Sequence, residues 1–231
     1  MPKSIIYGGI MMKKIFMLVL CLILSGAFLT GCSDGGETFE EKKYTPDERI
    51  GGIELDVHDR DIEVSLSEDG QIHVRYFESG EEGYEIGVSD DNILTVTSAD
   101  SKSWSDYIGK KPSDEYRKIY LQIPDVLLDS AVLSSTNGNI SLPELTVNES
   151  VNVSCSGGNI YFDTLNVGES IDLNVKNGDI SGTIAGGYDD FAISSEIKKG
   201  ECNLPETKNG GEKTLNVSGN NGDINIEFVK K

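Results

Sequence analysis

Asn137-Gly138-Asn139-Ile140-Ser141-Leu142 opens a six-residue beat, and the beat decides the fold. It returns as Gly157-Gly158-Asn159-Ile160-Tyr161-Phe162 and as Asn177-Gly178-Asp179-Ile180-Ser181-Gly182. An altered copy, Lys199-Gly200-Glu201-Cys202-Asn203-Leu204, precedes the last, Asn221-Gly222-Asp223-Ile224-Asn225-Ile226. The glycines Gly138, Gly158, Gly178, Gly200 and Gly222 are therefore spaced by 20, 20, 22 and 22 residues. Self-similarity at this period marks a repeat architecture.

Counting from each glycine exposes a core. Seven positions before it stand Ala131, Val151, Ile171, Ile193 and Leu215; five before stand Leu133, Val153, Leu173, Ser195 and Val217. Two after stand Ile140, Ile160, Ile180, Cys202 and Ile224; four after stand Leu142, Phe162, Gly182, Leu204 and Ile226. A rung that cannot bury its apolar face alone can complete the face of its neighbour. The glycines suit tight structural turns, because glycine takes positive φ without a Cβ penalty. The next position reads Asn139, Asn159, Asp179, Glu201 and Asp223, side chains able to bond corner backbone. Asn-Gly between alternating runs is also a hairpin signal, so an antiparallel meander is the rival geometry. The match of columns on both sides of the corner favours an all-β fold, a right-handed parallel β-helix or β-roll-like solenoid with about 20–22 residues per rung.

Upstream, 47–118 reads as less regular β rungs or a capping sheet. Ile53, Leu55 and Val57 alternate with polar residues, as do Ile62, Val64 and Leu66, then Ile72, Val74 and Tyr76. The loop 98–118 breaks the rhythm. Its aromatic residues Trp104, Tyr107 and Tyr116 are candidate ligand contacts, or else rings that seal an edge. Regular rungs occupy 119–231, so 47–231 forms one domain. Cys155 and Cys202 fall at inward positions on opposite sides of the corner and are expected to be unpaired.

The N-terminus reads as an address. Lys13 and Lys14 precede an apolar run from Ile15 to Leu24, then small residues. Leu29-Thr30-Gly31-Cys32 resembles the lipobox of bacterial lipoproteins. The resemblance implies a signal peptide over 1–31, with Met11 or Met12 as an alternative start. It also implies acylation of Cys32, which would anchor the chain to the lipid bilayer outside the cytoplasm. The segment 32–46 reads as a tether.

The chain has 20 Lys and Arg against 39 Asp and Glu, a net charge of -19. That surface repels nucleic acid. Only two histidines occur, His58 on a charged turn and His73 on the polar side of a strand. No Cys/His metal spacing exists, and the beat lacks the aspartate-bearing nonapeptide of calcium β-rolls. No catalytic residue, cofactor or metal is expected.

From Ile119-Tyr120-Leu121-Gln122-Ile123-Pro124 through Ser134-Ser135-Thr136-Asn137-Gly138-Asn139-Ile140, and again at each Gly-Asp-Ile, the chain resembles the DUF4097-like family of bacterial adhesin-type proteins. The resemblance covers roughly Ile53 to Lys231. It implies a β-helix-like repeat domain and adhesion, and it gives no catalytic residues to carry over; the function expected is a non-enzymatic surface module that binds an envelope glycan or protein. A self-associating envelope scaffold is the alternative, followed by a polysaccharide-active β-helix enzyme.

Overall fold

The computed structural model describes residues 38–99, 112–125 and 128–230. In chain order the strands are β1 (Glu40–Tyr44), β2 (Gly52–Val57), β3 (Asp61–Leu66), β4 (His73–Glu78), β5 (Tyr84–Val88), β6 (Ile93–Ser98), β7 (Lys118–Ile123), β8 (Leu128–Ser135) and β9 (Ile140–Leu142). There follow β10 (Leu145–Gly157), β11 (Ile160–Val167), β12 (Ser170–Asn177), β13 (Ile180–Ala185), β14 (Phe191–Lys199), β15 (Thr207–Lys208), β16 (Lys213–Asn221) and β17 (Ile224–Val229). All belong to one 17-stranded sheet.

The pairing on either side of the glycine corner is parallel, which excludes the meander. Before the corner, strands stack in the order β6, β2, β8, β10, β12, β16, β14. After it they stack as β7, β3, β9, β11, β13, β17. A short third side comes from Leu145–Val147 of β10, which pairs with Leu165–Val167 of β11. Antiparallel strands flank this stack: β5 on β6, β4 on β7, β1 on β4, and β15 on β14.

This arrangement corrects the expected fold class. The molecule is an all-β, largely parallel sheet that closes into a near-barrel, not an open right-handed β-helix or β-solenoid. A solenoid adds its coils in chain order, and this chain doubles back twice. The unit β2–β3 lies between β6–β7 and β8–β9. The last unit, β16–β17, is inserted between β12–β13 and β14. The physical reason is that every rung presents the same columns. Leu215 fits beside Ile171 as well as Ile193 would, so a periodic pattern defines a set of interchangeable neighbours without ordering them.

The columns themselves are the core. Ala131, Val151, Ile171 and Leu215 are each 0% exposed and lie in register on adjacent strands. Ile140, Ile160, Ile180 and Ile224 form the matching column beyond the corner, all buried. Gly182 stands in the column of Leu142, Phe162 and Ile226 because a Cβ there would lie 2.3 Å from the Phe162 ring. Glycine at this rung makes room for the larger ring at its neighbour.

Sequence reading missed β1. It lies within the segment 32–46 read as a tether and carries no apolar alternation; among the described residues it joins the sheet through β4. Cys155 is buried, Cys202 is half-buried, and both are free thiols. The Cys155 thiol donates to the carbonyl of Gly138.

Candidate functional site

The glycine corners form a column through the stack. A Cβ on Gly138 would lie 2.0 Å from the Arg60 carbonyl oxygen, and one on Gly158 would lie 2.3 Å from that of Gly138. One on Gly178 would meet Gly158 at 1.9 Å, one on Gly222 would meet Gly178 at 2.0 Å, and one on Gly200 would meet Gly222 at 1.8 Å. The need for glycine is thus mainly close approach between rungs. At Gly200 and Gly222 a φ of +129° and +131° adds a second reason.

Beside the glycines runs a polar ladder. The Asp61 carboxylate accepts from the Asn139 backbone N–H, the Asn139 side-chain oxygen from Asn159 N–H, and that of Asn159 from Asp179 N–H. Asp179 accepts from Asp223 N–H, and Asp223 from Glu201 N–H. Each side chain caps the backbone of the next rung rather than its own, a local competition put to structural use. The ladder leaves no oxygen cage, and among the described residues no cluster of three His, Cys, Asp or Glu could hold a metal ion.

At the β2–β3 corner the column ends on Arg60, which is only 4% exposed. Its guanidinium pairs with Glu82, donates from Nε to the Tyr84 hydroxyl at 2.6 Å, and bonds the Asp59 carbonyl at 3.1 Å. Burial works against the charged form. The Tyr84 and Glu82 oxygens outweigh it and raise the guanidinium pKa further. This is a structural clamp tying the β4–β5 loop to the stack. His73 is similarly engaged: one ring nitrogen faces Thr45 Oγ1 at 2.8 Å and the other faces Asp69 at 2.9 Å. Hydrogen bonds from the Gln71 N–H and His73 lower the Asp69 pKa.

Cys32, Trp104 and Tyr107 lie outside the described residues. Tyr116 is half-buried on the 3₁₀ turn Asp114–Arg117. Its ring stacks on Phe39 at 4.9 Å and meets Phe77 edge-on at 5.4 Å, so much of its surface is spent on packing.

A shallow, open depression of about 380 Å³ lies on the outer face of the first stack, lined by the polar side chains Asn152, Asp172, Asn174, Ser194, Glu196, Asn216 and Ser218 together with Leu173 and Val217. Its strands are β10, β12, β16 and β14, which lie side by side. At about 4.8 Å between strands, the four span roughly 14 Å. One row across them reads Asn152, Asp172, Asn216, Ser194, and Asn216 Nδ2 donates to the Asp172 carboxylate at 2.8 Å. The next reads Ser154, Asn174, Ser218, Glu196, and Asn174 Nδ2 donates to the Ser218 hydroxyl. Carboxylates, amides and hydroxyls alternate on a flat backbone. Such a surface can exchange hydrogen bonds with a polyhydroxylated chain, but it offers no base set against a nucleophile.

Sequence reasoning passed over this face, although its signal was present. Six positions before the repeat glycines stand Asn152, Asp172, Ser194 and Asn216; four before stand Ser154, Asn174, Glu196 and Ser218. These are the outward positions between the two core columns.

A family model described as Toastrack DUF4097 matches residues 50–181 and 121–227. A solved "putative cell adhesion protein" from Clostridium sporogenes is 13% identical and aligns over 84% of this chain and 100% of its own, with a TM-score of 0.53. It shares the fold. A "putative adhesin" from Bacteroides fragilis aligns over 82% of this chain and 97% of its own, at 14% identity and a TM-score of 0.38. No curated protein sequence matches the chain.

Proposed function

The chain belongs to the Toastrack DUF4097 family, and from that premise we propose that it is an exported, lipid-anchored, non-enzymatic binding module that holds an envelope glycan on the face of β10, β12, β16 and β14. The observation that carries this reading is the pair of polar rows Asn152-Asp172-Asn216-Ser194 and Ser154-Asn174-Ser218-Glu196 around the 380 Å³ depression. Repeated amide, hydroxyl and carboxylate groups on a rigid sheet suit a repeating saccharide with few rotatable contacts to freeze. An open, mostly polar depression is a poor host for a small apolar ligand, which seeks an enclosed apolar pocket. The adhesive name carried by the Clostridium sporogenes structure agrees with this reading.

The anchor belongs to the same proposal. Cys32 in Leu29-Thr30-Gly31-Cys32 would carry the acyl chains, and Trp104 and Tyr107 are retained as further candidate contacts.

The test uses purified peptidoglycan sacculi as the probe. Asp172→Ala combined with Asn216→Ala removes an acceptor and a donor from adjacent strands. Affinity in co-sedimentation should fall about ten-fold or more, since hydrogen bonds to a charged group contribute about 1.5–3 kcal/mol. Equal affinity of this variant and the wild type, with circular dichroism unchanged, rejects the face. In parallel, Cys32→Ser should move the protein from the membrane fraction to the soluble fraction; retention in the membrane rejects the anchor.

A further inference from the structure

We propose that Asn209 is a site of spontaneous deamidation, and that the stacked corners shield the same dipeptide at Asn137, Asn177 and Asn221. The proposal goes beyond glycan binding and does not depend on it.

Asn-Gly occurs at 137–138, 177–178, 209–210 and 221–222. Each pair can run the same reaction. The glycine amide gives its proton to solvent and its nitrogen attacks Cγ of the asparagine. The Cγ–Nδ2 bond breaks, and the side-chain amide takes up a proton and leaves as ammonia. The product is a five-membered succinimide. Water then adds to one of its two carbonyls, and the ring opens to aspartate or isoaspartate, with nothing oxidised or reduced. Glycine suits the attack because it has no Cβ to block the approach. Two conditions remain. The glycine N–H must be free of a protein acceptor, and the asparagine backbone must be able to turn until that nitrogen reaches Cγ.

The corners fail both conditions. The Gly178 N–H donates to the Asn221 carbonyl at 2.9 Å, and the Gly222 N–H to that of Lys199 at 3.1 Å. The asparagine amides are held as well: Asn177 Nδ2 donates to the Ser156 carbonyl at 3.3 Å, and Asn221 Nδ2 to the Asn177 side-chain oxygen at 2.6 Å. At the first corner Gly138 is buried, and Asn137 Nδ2 donates to the Asp59 carboxylate at 2.6 Å. Asn177 and Asn221 also lie in register as the last residues of β12 and β16. Turning either one would drag its glycine out of the close-packed column. Reaction there must wait for the rungs to open.

Asn209-Gly210 meets both conditions. It lies between β15 and β16, and both residues are exposed. Among the described residues neither makes a hydrogen bond, and a Cβ added to Gly210 would meet nothing within 4 Å. The anchors are on either side. Lys208 pairs with Ile193, and its Nζ donates to the Phe191 carbonyl at 2.7 Å. Gly211 sits so close to Phe191 that a Cβ on it would lie 2.5 Å from that residue's carbonyl carbon. The dipeptide is thus a short arch that can turn while its ends stay docked. Exposed loop tips are where such chemistry concentrates.

The experiment incubates the full chain, purified in detergent, at mildly alkaline pH and follows each site by mass-spectrometric peptide mapping. In the folded chain Asn209 should convert about ten-fold or more faster than any corner, since the corners react only from an opened state. In guanidinium chloride, which unfolds the stack, the sites should convert at similar rates. Asn209→Gln should abolish the first acidic isoform on isoelectric focusing and leave circular dichroism unchanged. An Asn209 that stays intact in the folded chain while the unfolded chain converts overturns the proposal. So do equal rates at all sites in the folded chain, or a gap between them that persists in guanidinium chloride.

Discussion

Gly178→Ala should cost about 3 kcal/mol or more, an overpacking penalty at the upper end of those seen in well-packed interiors. The added Cβ would lie 1.9 Å from the Gly158 carbonyl oxygen and 2.6 Å from its carbon. Both are backbone atoms, so no side-chain rotation relieves the contact. Relief requires β11 and β13 to part, yet these strands carry Ile160 and Ile180, both 0% exposed. Below it, Gly222 packs so close to the Gly178 carbonyl that a Cβ built on Gly222 would lie 2.0 Å from that oxygen, so a shift of Gly178 is opposed from that side too. For a domain of this size the penalty corresponds to a fall in Tm of roughly 6–12 °C. Gly80→Ala is the control. Among the described residues nothing lies within 4 Å of its added Cβ, and stability should change by less than about 0.5 kcal/mol. Equal effects of the two substitutions in thermal unfolding would show that the rungs do not approach as closely as described.

Glu82→Ala should destabilise by about 3–5 kcal/mol, because it strands the Arg60 charge in a site that is 4% exposed. Tyr84 and the backbone carbonyls remain as partners, but none carries a full negative charge. The raised guanidinium pKa fixes the sign with pH. Arg60 is held in its charged form, so its contribution is complete at neutral pH and is lost only in strong alkali, as pH rises through the raised pKa. Replacing the pair together by Arg60→Met and Glu82→Leu removes both charges at once. That double variant should recover most of the loss, as apolar substitution of a buried ion pair often does. Urea unfolding of the three chains measures it. A double variant no more stable than Glu82→Ala would mean that the loop needs the charges and not merely their mutual neutralisation.

Corners and core columns were legible in the sequence, because burial and close approach recur at every rung. Ile140, Ile160, Ile180 and Ile224 could be found by counting, and all four are buried. The order of the rungs was not legible. Ile171 pairs with Leu215, 44 residues on, and Ile193 lies beyond it. Each presents an apolar side chain of similar size, so local sequence cannot tell which strand comes next. The Arg60 clamp was hidden for a different reason. Asp59-Arg60-Asp61 reads as a solvated charged turn, and its partner Glu82 sits 22 residues away in a polar loop. Charge alone does not reveal burial. The polar face was countable by the same offsets as the core, but its significance came only when β16 was placed between β12 and β14.

That placement makes the face, and engineered disulfides test it directly. Asn174 lies opposite Ser218 on the neighbouring strand, about 4.8 Å away by strand spacing and within reach of a disulfide. Glu196 lies one strand further, at roughly 10 Å, beyond the limit of about 7 Å. Chains carrying Asn174→Cys with Ser218→Cys, or Asn174→Cys with Glu196→Cys, would be oxidised while folded and their crosslinks read by peptide mapping. The near-barrel predicts a bond between positions 174 and 218 and none between 174 and 196. A bond between 174 and 196, with none between 174 and 218, would mean that the rungs stack in chain order and that the proposed binding face does not exist.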